Sequence, residues 1–504
     1  MDIVDRSPVE TRLERLESDT EKDPEIISFH DTDIEDNNND LIRLDSNVER
    51  FQRFSELRKA LIVAIISFST MQIPFATTSF LPAVPEIAND FNTSQELITG
   101  GNGIASIFMA ISPLFFGPLT EIYGRRPLMF IGACLFCVSN IVVALAPNVT
   151  VFIVFRCINY FGGTAFFSMG ASIVGDIYSP STRGRAMGWV LFGSQIGPTL
   201  GPIVGGLIIT FKSWRLLYWI QTAMSGLLLP LYIFLLPETS FSTLHARLCT
   251  ERNKKFIFVP FNPLRILMLA RYPNITLVAI ISMSLLWNMY SLLTPIREVI
   301  DPRFNLTSPI YGALFYFPAA VGYIVGTYIG GKWTDYYVRV WRAKRGERIP
   351  EDRIRSTVIP LAVILPFASL LYGWSLQERK GGMALPIVGL FLYGLAQTMT
   401  FPAINAYCVE SMPKYKSDAI SGNYCARYIS QAISTSVALP LINKMGVGGS
   451  CTLSAGILWL GAACSYTVIL YGKQLRDWRD SKEKKAENDQ NNETQPAENA
   501  INRP

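Results

Sequence analysis

The chain has 504 residues, 49% hydrophobic and only 17% charged, with 45 basic and 40 acidic side chains. Soluble chains usually carry about 25% charge, and the shortfall here is concentrated: residues 59–472 hold 16 acids and 30 bases, against 17 acids and 8 bases in residues 1–58. A core so poor in charge cannot cover itself with a solvated surface, which excludes a soluble globule and points to a polytopic membrane protein; the net charge of +5 sits in short loops and does not signal nucleic-acid binding.

In chain order, residues 1–58 are acidic, polar and poor in aromatics, and read as a disordered cytoplasmic tail with Ser18 and Thr32 set among acids. This tail has no long apolar run, so no cleavable leader is expected and the first span would serve as an uncleaved anchor. Apolar segments follow near 60–81, 97–119, 128–146, 151–174, 186–211 and 217–236. A polar stretch then precedes six more, near 275–299, 310–331, 357–375, 383–407, 419–442 and 451–471. Each is long enough, at 1.5 Å per residue, to cross about 30 Å of hydrocarbon. The expected fold is all-α, with twelve transmembrane helices in two six-helix halves, 59–237 and 275–472. A cytoplasmic loop, 238–274, joins them, and a second disordered cytoplasmic tail, 473–504, ends the chain.

Charge sets the orientation. With the N-terminus cytoplasmic, the inside loops carry 20 bases and the outside loops seven, the asymmetry the positive-inside rule requires. Both termini are then cytoplasmic. Asn92, Asn148 and Asn305 head Asn-x-Ser/Thr triplets in the outside loops; Asn148 lies too close to a span end for use to be expected. The eight cysteines lie mostly inside apolar runs, and the only histidines, His30 and His245, lie in polar stretches, so neither a metal site nor a cofactor is expected.

The second span runs into Gly117-Pro-Leu-Thr-Glu121-Ile-Tyr-Gly124-Arg125-Arg126-Pro127. The four-residue spacing of Glu121 and Arg125 would pair them on one helical turn. The fourth span begins Phe155-Arg156-Cys-Ile-Asn159 and ends Gly175-Asp176. The fifth reads Gly193-Ser-Gln195-Ile-Gly197-Pro198-Thr-Leu-Gly201-Pro202-Ile-Val-Gly205-Gly206, which stacks small residues on one helix face for close packing and kinks the helix. In this order the segments resemble the signatures of the major facilitator superfamily. The fifth-span pattern resembles the motif of its antiporter branch, and Trp214-Arg215 and Leu236-Pro237-Glu238-Thr239 look like its fungal drug:proton antiporters of twelve spans. Two departures stand out: Glu121 where the superfamily has Asp, and Asn159 where Gln is frequent. A partial copy of the first signature, Gly330-Gly331-Lys-Trp-Thr-Asp335, follows the eighth span and fits two related halves. The resemblance covers residues 59–472. It implies that Glu121, Arg125, Arg126 and Asp176 form a cytoplasmic gating cluster and that the Gly-Pro residues form an interface hinge.

Within the spans, Arg156 and Arg427 are the buried charges, and no acid lies deep in any span. Each arginine either hydrogen-bonds neutral neighbours in a central cavity or takes part in proton coupling. Phe75, Gln195, Gln221, Trp287, Asn288, Tyr290, Tyr316, Gln397, Asn405 and Asn423 are the candidate substrate-cavity residues, a set suited to amphipathic organic molecules.

The expected function is proton-coupled export of organic compounds by alternating access, by a monomer in a lipid bilayer with a small organic substrate and protons as partners. The plasma membrane is the expected location, with a vacuolar or other internal membrane as the alternative. The rival function is a carrier for one metabolite or nutrient, such as an organic cation, polyamine or organic anion. No Gly-x-x-x-x-Gly-Lys-Ser/Thr loop and no catalytic His/Cys/Asp set is present, so neither an ATP-driven pump nor an enzyme is expected.

Overall fold

A computed structural model describes residues 53–178, 183–240, 249, 263, 265–306, 308–347, 349–412 and 416–501. The tail 1–52, with Ser18 and Thr32, most of the segment 241–264, and the side chains of Glu121, Gln195 and residues 483–501 lie outside what is described.

All regular structure among the described residues is helical. The long helices are α1 (Glu56–Ser79), α2 (Gln95–Tyr123), α3 (Arg125–Ala144), α4 (Val149–Ile177), α5 (Arg183–Phe211) and α6 (Arg215–Phe234), followed by α7 (Pro273–Leu293), α8 (Tyr316–Arg345), α9 (Leu365–Gln377) and α10 (Ala384–Ser411). A last helical run, Lys416–Ile501, is broken at Gly446, whose backbone (φ 76°, ψ 172°) is not helical. The 65 apolar-rich residues Asp418–Lys482 are far too long for one crossing. The break divides the run into α11 (416–445) and α12 (447–501), which brings the spans to twelve.

Local chemistry starts the helices where the sequence allows it. The Ser55 and Ser94 hydroxyls accept from the amides of Arg58 (3.4 Å) and Leu97 (3.2 Å). Asn148 Oδ1 accepts from the Val151 amide at 2.9 Å, so this triplet asparagine serves as the N-cap of α4. Helix α9 is entered through a short helix, Glu351–Arg355, and a π-helical stretch, Pro360–Ile364.

The burial pattern is inverted relative to a soluble protein. Phe211, Phe234 and Tyr328 are more than two-thirds exposed, while Gln72, Asn102, Arg156, Gln221, Asn288, Gln397 and Gln431 are at most 2% exposed. Apolar side chains face the lipid and polar ones the bundle interior, as hydrocarbon solvent demands.

Helix α1 packs along α5 in the first half, and α8 along α10 in the second. The halves meet mainly where α2 packs on α11 and where α5 packs on α8 and on the short helix Pro309–Leu314 that leads into it.

The last helix departs from the disordered tail expected at 473–504. It continues past Gly472, and Arg476 makes two 2.9 Å hydrogen bonds to the Glu351 carboxylate. Arg479 Nη1 donates to the Ser411 carbonyl at 2.5 Å. Glu351 is 1% exposed, so the arginine that neutralises it holds the helix in place.

Candidate functional site

The Gly-Pro face of α5 is directed at α1. A Cβ on Gly197 would stand 2.7 Å from both the Met71 carbonyl oxygen and the Phe75 amide nitrogen. On Gly193 it would overlap Ser67, on Gly201 the Thr78 hydroxyl and on Gly205 the Ser79 carbonyl. Four turns of backbone therefore touch without side chains between them, which only glycine permits. Hydroxyls of α1 stitch the seam by donating to carbonyls of α5: Ser67 to Trp189 (2.9 Å), Thr70 to Val190 (3.3 Å) and Thr78 to Gly197 (3.4 Å). Pro198 and Pro202 sit inside the same helix and remove two of its backbone donors. Gly206 alone of this motif looks the other way: a Cβ there would overlap Ala313 of the second half. The motif is thus mostly a seam within the first half, with one glycine at the interface between halves.

The expected pairing of Glu121 and Arg125 on one helical turn does not apply. Helix α2 ends at Tyr123, Gly124 takes φ 96°, and Arg125 begins α3. Gly124 offers no cap, and the carboxylate of Glu238, just beyond α6, supplies one. It accepts from the amides of Arg125 (2.9 Å) and Arg126 (3.1 Å), placing an anion at the positive end of α3. Arg125 Nε donates to Asp176 Oδ2 at 3.3 Å, and Arg126 donates to the last carbonyls of α6, at Tyr232 (3.2 Å) and Ile233 (2.5 Å). The cluster ties α3, α4 and α6 together inside the first half. Glu238 was visible in the sequence only as part of a family-like element; its partners lie more than 110 residues away.

The second half has a corresponding set. Arg353 pairs with Glu410 at 2.9 Å, and Arg345 and Arg355 flank the fully buried Asp352. The ion pairs described on this face, the one that carries both chain ends, each stay within one half. On the opposite face one crosses between halves. Arg297, in the helix Ile296–Phe304 after α7, reaches Glu86 at 2.9 Å and the Pro82 carbonyl, in the short helices Val84–Asp90 and Leu81–Ala83 that follow α1. Asn443 of α11 donates to Glu96 of α2 at 2.9 Å on the same face.

Arg156 is buried without a carboxylate partner among the described residues. Its guanidinium donates to Tyr218 Oη (2.5 Å), Asn102 Oδ1 (2.5 Å) and Tyr160 Oη, and lies 4.1 Å from the centre of the Phe80 ring. Arg427 sits 4.1 Å from the Phe401 ring and 5.0 Å from that of Tyr424. The Tyr424 ring meets Phe167 of the first half at 5.7 Å. Cation–π contacts are worth roughly 0.5–2 kcal/mol, most when desolvated; Arg156 is buried and Arg427 only partly so.

The candidate cavity residues divide by what they touch. Tyr290 donates to Thr77 of the other half at 3.4 Å, and so stands at the interface. Trp287 donates to Ser454 (3.2 Å), Asn288 accepts from Ser369 (2.7 Å), and Gln397 donates to the Leu285 carbonyl (3.1 Å), so all three tie helices of the second half together. Tyr316 donates to the Leu293 carbonyl at 3.0 Å, and Asn423 to Asn405 at 3.4 Å. Gln221 donates to Ser79 at 3.2 Å, and Phe75 is buried beside the α1–α5 seam. Gln72 Oε1, Gln221 Oε1, Gln397 Oε1, Asn423 Oδ1 and Asn288 Nδ2 remain buried without a protein partner, leaving hydrogen-bonding capacity inside the bundle.

The model of the Major Facilitator Superfamily matches residues 66–435. The chain belongs to that superfamily. Among curated relatives of this Major Facilitator chain, the "MFS antiporter QDR3" of Candida albicans is 26% identical, covering 82% of this chain and 78% of the relative. The "Efflux pump radE" of Floropilus chiversii is 25% identical and covers 84% and 82% respectively. Among solved structures, the human organic anion transporter MFSD10 superposes with a TM-score of 0.59 at 16% identity over 81% of this chain and 99% of that one, a likeness of fold. Membership makes the protein a multi-pass membrane transporter.

Proposed function

We propose that the protein exports organic compounds in exchange for protons by alternating access, as a monomer in the plasma membrane with both chain ends in the cytoplasm. The observation that supports this reading is where the cross-half ion pair among the described residues lies. Arg297 and Glu86 clamp the halves at the face away from the chain ends, whereas the ion pairs described at the other face stay within a half. Two rigid halves held at one face by breakable charge contacts are what rocking between opposed openings requires. The names of the relatives, an antiporter and an efflux pump, support the outward direction, and the bias of basic residues supports an outer position for the clamped face.

The test is efflux from reconstituted vesicles, using a panel of hydrophobic cations, neutral drugs and organic anions. Export should run on an imposed pH gradient without ATP and stop with a protonophore. Transport that ignores the gradient would sink the reading.

A second reading, a carrier of one organic anion, is favoured by Arg156 and Arg427, which leave the interior positive with no carboxylate partner among the described residues. Transport confined to anions in the same panel would select it.

A further inference from the structure

Antiport needs a group that gains and loses a proton during the cycle. Neither Arg156 nor Arg427 qualifies, because a guanidinium stays protonated in proteins. Of the acids buried near the chain-end face, Glu351 is met by Arg476 and Asp352 by Arg345 and Arg355, and Asp418 also has a partner. Glu298 differs from these. Both of its carboxyl oxygens are buried, and neither has a hydrogen-bond partner. It follows Arg297 directly, in the helix Ile296–Phe304.

The charges around it are already balanced. On its own helix stand Arg297, Asp301 and Arg303, and from the helix Val84–Asp90 comes Glu86. Arg297 Nε donates to Asp301 at 3.1 Å and its Nη1 to Glu86 and the Pro82 carbonyl, and none of these bonds reaches Glu298. Two cations therefore face two anions without Glu298. The other titratable groups near it are phenols: Tyr316 of α8 and Tyr372 of α9, whose buried hydroxyl has no partner. A carboxylate here would be a third negative charge, with both oxygens buried and neither holding a hydrogen bond. A carboxylic acid fits.

Resting on the antiport reading above, we propose that Glu298 is a proton-binding site of the carrier, and that the face clamped by Arg297 and Glu86 closes only when this carboxyl is protonated. Glu86 belongs to the first half and Arg297 to the second, so opening this face separates them and brings water to the adjacent residue. The acid then ionises by giving its proton to water. To close again, a carboxylate oxygen takes a proton from the solution on that side, and no other bond changes. Proton uptake from the outer solution thereby becomes a condition of closing; because this site gives up and regains its proton on the same side, it makes the return step depend on outer pH and does not itself carry protons across.

The test uses full-length reconstituted protein with the partly exposed Cys134 and Cys249 changed to serine. Spin labels at two exposed positions, Asn89→Cys in the first half and Pro302→Cys in the second, span the clamp. With protons as the only added ligand, the distance distribution should move from short to long as pH rises. Glu298→Gln should hold the short distance at every pH, and Glu298→Asp should keep a titration. The short distance itself shows that the glutamine variant is folded. A glutamine variant that opens with pH as the parent does, or a parent whose distance ignores pH, overturns the proposal. Proton-driven export is measured in parallel. A gate that follows pH and Glu298 while export ignores the gradient upholds the site and removes the antiport reading. Gradient-driven export that survives Glu298→Gln unchanged, with an unchanged gate, removes the site and keeps antiport.

Discussion

Gly201 of α5 lies directly against Thr78 of α1: a Cβ on the glycine would overlap the threonine hydroxyl and stand 2.9 Å from the Ser79 amide nitrogen. Both neighbours belong to the same half, so the contact is part of a rigid seam and does not slide during transport. Gly201→Val should therefore overpack the seam and lower stability by about 1–3 kcal/mol, with export lost in proportion. Leu207→Val, at an exposed position in the same helix, should leave both nearly unchanged. Thermal unfolding and vesicle efflux at matched abundance decide this, and equal behaviour of the two variants would reduce the glycine face to filler.

The cap that Glu238 places on α3 predicts a long-range effect from a residue in a loop. Glu238→Ala removes the acceptor for two amides and the anion at the start of the helix, costing about 1–2 kcal/mol. Gly124→Ala should be at least as damaging, since its φ of 96° disfavours a side chain and the new Cβ would stand 2.6 Å from Glu238 Oε2. Chemical-denaturant midpoints of the purified variants measure both.

Arg297 and Glu86 should set the balance between open and closed at the far face. Glu86→Gln weakens the cross-half bond but leaves Arg297 with Asp301, so the protein should fold normally and populate the open form more. A shift of about 1.4 kcal/mol would appear as a tenfold change in the open-to-closed ratio. The distance between labels at the exposed Asn89 and Pro302 reports the change, and an unaltered distance distribution would refute the clamp.

The extension beyond Gly472 should be structural. Arg476→Ala strands the buried Glu351 carboxylate, and breaking a buried pair from one side costs about 3–5 kcal/mol. Arg476→Lys should recover part of it. Loss of folded protein on gel filtration for the alanine variant alone is the expected result; normal yield and melting temperature would show that the carboxylate is satisfied some other way.

The spans and the α5 seam were legible because they are periodic: apolar runs of crossing length, and glycines every four residues. Relations that depend on a single backbone angle or on distant partners were not. The four-residue spacing of Glu121 and Arg125 reads as a helical pair until Gly124 turns the chain between them. Glu238, Glu351 and Asp352 read as loop charges, because the partners that bury them arrive from other helices. Trp287, Asn288 and Gln397 are cavity candidates on composition; each also bonds a neighbouring helix of its own half, a tie that composition does not reveal. Sequence marks a polar residue inside a span but does not say which side of the helix faces the partner half.

The setting of Arg156 has an electrical consequence. Aromatic faces and neutral oxygens hold its guanidinium, and no carboxylate among the described residues pairs with it. Arg156 is thus a positive charge embedded in the membrane dielectric. When that half rocks, the charge is displaced along the transmembrane voltage, which does about 2.3 kcal/mol of work per elementary charge for a full traverse of 100 mV. A displacement through a tenth of the field is then worth about 0.2 kcal/mol, so the rocking step responds to voltage even when the exchange it performs moves no net charge.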